Sequence, residues 1–113
     1  MVNPNSLDAL RADISSALDL LEILIENAKT DGERLELLAI NRALVKIATD
    51  IDNGELVSRN AAIAALVNEL GADASDLETI HQQAVDLKNT LDIAQNLLTA
   101  FGNIANSAGS AHA

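Results

Sequence analysis

LETIHQQAVDLKNTLDIAQNLLTAFGNIA, residues 77–105, decides how this chain is read. Leu77, Ile80, Ala84, Leu87, Leu91, Ala94, Leu98, Phe101 and Ala105 recur at steps of three and four, the spacing that lines one face of a helix. No proline interrupts the run. The pattern predicts one continuous helix of about eight turns, roughly 45 Å long at about 1.5 Å per residue, with Gly102 weakening its far end.

Working outward, three shorter stripes precede it. Ser6 offers an N-cap oxygen to a first helix on which Leu7, Leu10, Ile14, Ala17, Leu21, Leu24 and Ala28 keep heptad register, with Leu18 and Ile25 widening the face, ending near Lys29. Gly32 breaks the pattern, and Thr30 with Glu33 has capping-box spacing for a second helix. Its stripe is Leu37, Ile40, Leu44, Ile47 and Ile51, flanked by Leu38, Val45 and Ala48, and Asn53-Gly54 ends it. Ser58 caps a short third helix carrying Ile63, Leu66, Val67 and Leu70, which Gly71 stops. Ser75 with Glu78 repeats the capping-box spacing ahead of the long fourth stripe.

The expected fold is therefore all-α: an antiparallel four-helix bundle with two long, one intermediate and one short helix, open to completion by oligomerisation. Residues 1–113 read as a single domain, with 1–5 and 107–113 as flexible ends. A long fourth helix beside a short third implies that part of its apolar face overhangs what the chain itself can cover.

Composition narrows the function classes. Seventeen acidic residues against seven basic give a formal charge of −10, spread along the chain. Binding to a phosphate backbone, which relies on Lys and Arg, is disfavoured, whereas a basic protein surface would be attracted. Without cysteine there is no disulfide, thiolate metal site or thiol nucleophile. The start MVNPNSLDAL lacks the pattern of a secretory signal, and the longest purely apolar run, AAIAALV at 61–67, is too short to span a bilayer. A cytoplasmic location is the default reading, with signal-independent export left open.

Two short motifs suggest metal. Glu78 and His81 have the Glu-x-x-His spacing of di-iron bundle proteins. Register places Glu78 at a solvent position and His81 on the flank, and the second histidine, His112, lies in the tail, so no metal or other cofactor is expected. DIDNGE at 50–55 fails as a calcium loop, because aligning Gly54 at the sixth position puts Thr49 and Ile51 where oxygen ligands belong. Catalysis is not expected: Ser6, Ser58 and Ser75 read as caps, Ser15 and Ser16 as helix surface, and Glu22 with Glu26 as a solvated face.

After Asp92 no charged side chain follows, while Ile93, Leu97, Leu98, Phe101 and Ile104 build a broad apolar face. Charge depletion marks both helix interiors and interface cores. The preferred expectation is a non-catalytic helical protein–protein interaction or assembly module, self-associating as a homo-oligomer or docking on partner helices through Leu97, Leu98, Phe101, Ile104, Ile63 and Val67. The alternative is a small acidic inhibitor, immunity-type protein or chaperone that covers a basic partner with Asp13, Asp19, Glu22 and Glu26. A third is a metal-binding bundle using Glu78 and His81 from several chains. Neither nucleic acid nor membrane is an expected partner, the latter because the uncharged helix offers no Lys or Arg to anionic headgroups.

Overall fold

The computed structural model describes residues 6–71 and 74–112, and in them all regular secondary structure is α-helical, with no strand. Five helices follow one another: α1 (Leu7–Glu26), α2 (Asp31–Asp52), α3 (Arg59–Leu70), α4 (Ala74–Lys88) and α5 (Gln95–His112). Three of them begin on the caps that the sequence supplies. Ser6 Oγ accepts from the Ala9 amide, Thr30 Oγ1 from Glu33 and Ser58 Oγ from Ala61, each at 3.1 Å. Each bond satisfies one of the amides that a helix start leaves without an intrahelical acceptor. The Glu33 carboxylate completes a modified capping box by accepting from the Lys29 amide at 3.4 Å. Gly54 and Gly71, at φ 76° and 66°, occupy the left-handed conformation at the ends of α2 and α3.

Several local readings change. α1 ends at Glu26 rather than Lys29, where the Asn27 side-chain amide donates to the Ile23 carbonyl at 2.8 Å. Gly32 lies within the first turn of α2 instead of between helices. Ser75 falls inside α4, which starts at Ala74. α5 runs on through 107–112, where a flexible end was expected, and Ala108 is fully buried. The other expected flexible end, 1–5, lies outside the described residues.

The larger correction concerns residues 77–105. They do not form one helix: the chain turns through residues 89–94 and divides the run into α4 and α5, so there are five helices rather than four. A straight helix of about 45 Å would exceed the longest principal extent of the molecule, 37 Å. The break instead folds α4 back on α5. Lys88 hydrogen-bonds Gln95 beside the turn, and His81 meets Phe101 and Gly102 further out, so the two helices run in opposite directions.

Energetics explain why the break wins. Interrupting a helix forfeits roughly four backbone hydrogen bonds, each worth about 0.5–1.5 kcal/mol net. Some are replaced in the turn, where Thr90 N donates to Leu87 O at 2.9 Å and Ile93 N to Leu91 O at 2.7 Å. In return Leu77, Ile80 and Ala84 are buried, and Ile93 is drawn into the core. Burying a large aliphatic side chain contributes about 1.5–3 kcal/mol, so this set exceeds the loss.

α1 and α5 make the most extensive pairing; α2 packs on α1 and α3, α3 also reaches α5, and α4 rests principally on α5. Phe101, Ile14, Leu20, Leu21, Leu37, Leu44, Ile47, Leu66, Leu77, Ile80 and Ile104 are the largest fully buried side chains, and no polar residue joins them among the described residues. The Cα radius of gyration is 13.3 Å, close to the ~13 Å of a compact chain this long. On α1 Leu20 is fully buried while Leu18 and Ile25 flank the core half-buried, as their register suggests, and on α2 the buried flank is Ala43 and Ala48, leaving Leu38 and Val45 exposed.

Phe101→Ala should lower unfolding free energy by about 3–5 kcal/mol through lost burial and the cavity left behind. Leu35→Ala, on an exposed side chain of α2, should change it by no more than about 0.5 kcal/mol. Urea titration followed by circular dichroism measures both.

Candidate functional site

The neutral C-terminal face, expected as a docking surface, lies inside the molecule. Leu98, Phe101, Ile104 and Ile63 are buried, and Leu97 and Val67 pack half-buried against the same core. The reason is the α4–α5 turn, which covers one side of α5 with α4 while α1 and α3 cover others. Within one chain four of these six residues are covered and the other two are partly so.

A groove with an apolar floor lies between α1 and α2. Leu18 and Ile25, seven residues apart on α1, face Asn41 and Val45 of α2 across a groove of about 420 Å³. Asp19, Glu22 and Glu26 line the same groove from the α1 side. All three are exposed, and none makes an ion pair or hydrogen bond among the described residues. Val45 is 44% exposed and Leu38, one heptad earlier on α2, 38%. Three carboxylates therefore stand beside an aliphatic floor.

Asp13, expected as a fourth member of that acidic surface, is elsewhere. It is half-buried where α1 meets α5 and α3, within reach of Asn103, which hydrogen-bonds it, and of the Arg59 charge. Arg59 itself donates to Ser107 Oγ at 2.6 Å. Burial raises the Asp13 carboxyl above its ordinary value, with Asn103 and Arg59 opposing. The surface ion pair of Arg11 with Asp52, 3.0 Å apart, acts in the other sense: the hydrogen bond from Arg11 lowers the Asp52 carboxyl.

Glu78 and His81 sit in a second groove between α4 and α5, with Gln95, Thr99, Asn103 and Asn106. Glu78 is exposed and accepts a hydrogen bond from Gln82 at 3.2 Å, while His81 is half-buried with its ring nearly parallel to Phe101, 6.4 Å between centroids. A Cβ added at Gly102 would stand 3.1 Å from His81 Nε2, so the glycine provides the seat on which the imidazole rests. Among the described residues no three His, Asp or Glu side chains come together in a group able to hold a metal ion.

No protein-family model, curated protein or solved structure matches this chain. The site is therefore argued from its own residues. Sequence reasoning found Asp19, Glu22 and Glu26 but missed the apolar floor beside them. The signal was present in the heptad spacing of Leu18 with Ile25 and of Leu38 with Val45, read there as flanks of the buried faces. No helix among the described residues is long and apolar enough to cross a membrane.

Two outcomes test this geometry. A raised carboxyl pKa means that the folded chain holds the proton more tightly than the unfolded one. Asp13 thus favours the fold below its ordinary range, about pH 4, and that stability is lost as pH rises through the folded value. Asp13→Asn, which retains an acceptor for Asn103, should melt higher than wild type at neutral pH, and the difference should close on acidification. Gly102→Ala should stabilise by about 0.5–1 kcal/mol in a His81→Ala background, the usual gain in a helix interior. With His81 present the gain should be smaller or reversed, which a double-mutant cycle reads directly.

Proposed function

We propose that this protein is a non-catalytic helical interaction module whose α1–α2 groove receives a basic amphipathic segment of a protein partner. The observation that carries the reading is the pairing of three unpartnered carboxylates, Asp19, Glu22 and Glu26, with an aliphatic floor of half-buried Leu18 and Ile25 and exposed Val45. Helix-in-groove recognition uses these two components: apolar anchors at helical spacing for affinity, and complementary charge for orientation and rate.

Leu18 to Ile25 is seven residues, a little over 10 Å along a helix, which suits a partner presenting two or three anchors over two turns. The net charge of −10 extends the same preference over the surface at large. A second copy of this chain would bring its own acidic rim to the groove, so a basic partner is electrostatically preferred. The broader class, protein–protein interaction without catalysis, is the one that the uncharged C-terminal segment suggested; the surface we propose for it lies instead on α1 and α2. The acidic-inhibitor alternative contributes the charged half of the same site.

A designed peptide with leucines at i, i+3 and i+7 and lysines on both flanks probes the groove. We expect saturable binding that weakens steeply with added salt, since exposed charges are screened beyond about 10 Å at 0.1 M. The combined Asp19→Asn, Glu22→Gln, Glu26→Gln variant should bind about tenfold or more weakly, a loss of about 1.4 kcal/mol or more. Val45→Asp should weaken binding through the floor. Affinity untouched by all of these changes would overturn the reading.

A further inference from the structure

The turn between α4 and α5 differs from the other helix boundaries described above. α1, α2 and α3 each start on a Ser or Thr side-chain cap, and α2 and α3 are followed by left-handed glycines. α5 follows Ala94, which has no side-chain acceptor, and the Leu97 amide bonds instead to the Ala94 carbonyl at 3.2 Å. α4 ends with no left-handed residue, because the described positive-φ residues are Gly54 and Gly71. Residues 89–94, NTLDIA, contain neither glycine nor proline. Lys88, in the last turn of α4, suits a helix end, and Asn89, Thr90 and Asp92 are weak helix formers, but none of them fixes a turn as Gly54 or Gly71 does.

Meanwhile the stripe from Leu77 to Ala105 crosses the turn without losing heptad register. The local sequence tolerates either a continuous helix or a turn, and tertiary packing of α4 on α5 selects the turn. Such a segment has two competent arrangements. Residues 71–73 tie α4 closely to α3, so straightening the turn carries α5 as a unit away from α1, α3 and α4, while α4 stays with the first three helices. The α4 face of Leu77, Ile80 and Ala84 then needs another α5, and a second copy of the chain offers an identical one.

We infer that this protein forms a domain-swapped dimer in which residues 77–105 straighten into one helix and α5 of each chain packs on α1, α3 and α4 of the other. The α4–α5 contacts are the same in both forms, so the turn and the protein concentration set the balance between them. This assembly is independent of the α1–α2 groove, whose residues lie outside the exchanged surface.

The test alters the turn and then asks whose α4 lies on whose α5. Replacing Asn89, Thr90 and Asp92 together by alanine raises helix propensity at three positions of the turn and should shift light-scattering mass toward the dimer at lower concentration than wild type requires. Thr90→Gly with Asp92→Gly should hold the monomer. Val85 and Thr99 line the same α4–α5 groove and are both exposed. Chains carrying only Val85→Cys, unfolded and refolded together with chains carrying only Thr99→Cys, should therefore join through a short bismaleimide. Folded chains merely mixed should not.

A monomer at every concentration for both wild type and the alanine variant would overturn the inference. So would a dimer that gives no Val85–Thr99 bridge after co-refolding, or one that bridges equally without it. Should the alanine variant precipitate, the bridge between co-refolded chains with the native turn decides by the same criteria.

Discussion

The apolar stripe of residues 77–105 is covered by folding back on itself, and much of the architecture follows from that constraint. Straight, residues 77–105 would run for about 45 Å, whereas the folded-back chain is no longer than 37 Å. Returning α4 along α5 brings Leu77, Ile80 and Ala84 under cover and pulls Ile93 inward. It also closes one side of α5, turning the uncharged segment from a surface into an interior. The location of the candidate site is a consequence: with that face occupied, the exposed aliphatic side chains of Leu38 and Val45 lie on α2.

The resulting core is aliphatic apart from one ring, and no polar side chain is buried among the described residues. Polar and charged groups stay at the rims, as with Arg11 and Asp52 or Lys46 and Asp50. Such exposed pairs contribute little to stability, so the relative placement of the helices rests on shape and on the caps. Asp13 is the partial exception. Its half-buried carboxyl is the one acidic group of α1 drawn toward α3 and α5, and its environment there disfavours its charge.

Much of this was legible in the residues, and the distinction is between local and tertiary causes. Ser6, Thr30 and Ser58 mark helix starts, and Asn53-Gly54 and Gly71 mark ends, because capping chemistry is decided within four residues. The solvent position of Glu78 and the flanking position of His81 followed from register alone. The turn at 89–94 was not legible, since nothing local requires it; it exists because Leu77 and Ile80 find cover on α5. Asp13 could not be separated from Asp19 and Glu22 without knowing that Asn103 and Arg59 would arrive beside it. The groove was half legible: its carboxylates were evident, but that Leu18 and Ile25, flanking the core, also form a floor beside them depended on how α2 packs on α1.

The contact between His81 and Phe101 has a spectroscopic consequence. Phe101 is the only phenyl ring in a chain without Tyr or Trp, so the protein is nearly silent in aromatic absorbance and fluorescence. The same scarcity leaves one carbocyclic ring current in the whole molecule, and the His81 imidazole lies nearly parallel to its source, 12° from coplanar. The chemical shifts of the two His81 ring protons are thus a built-in gauge of whether the fourth helix is seated, sharing their region, among ring protons, with those of Phe101 and His112 alone.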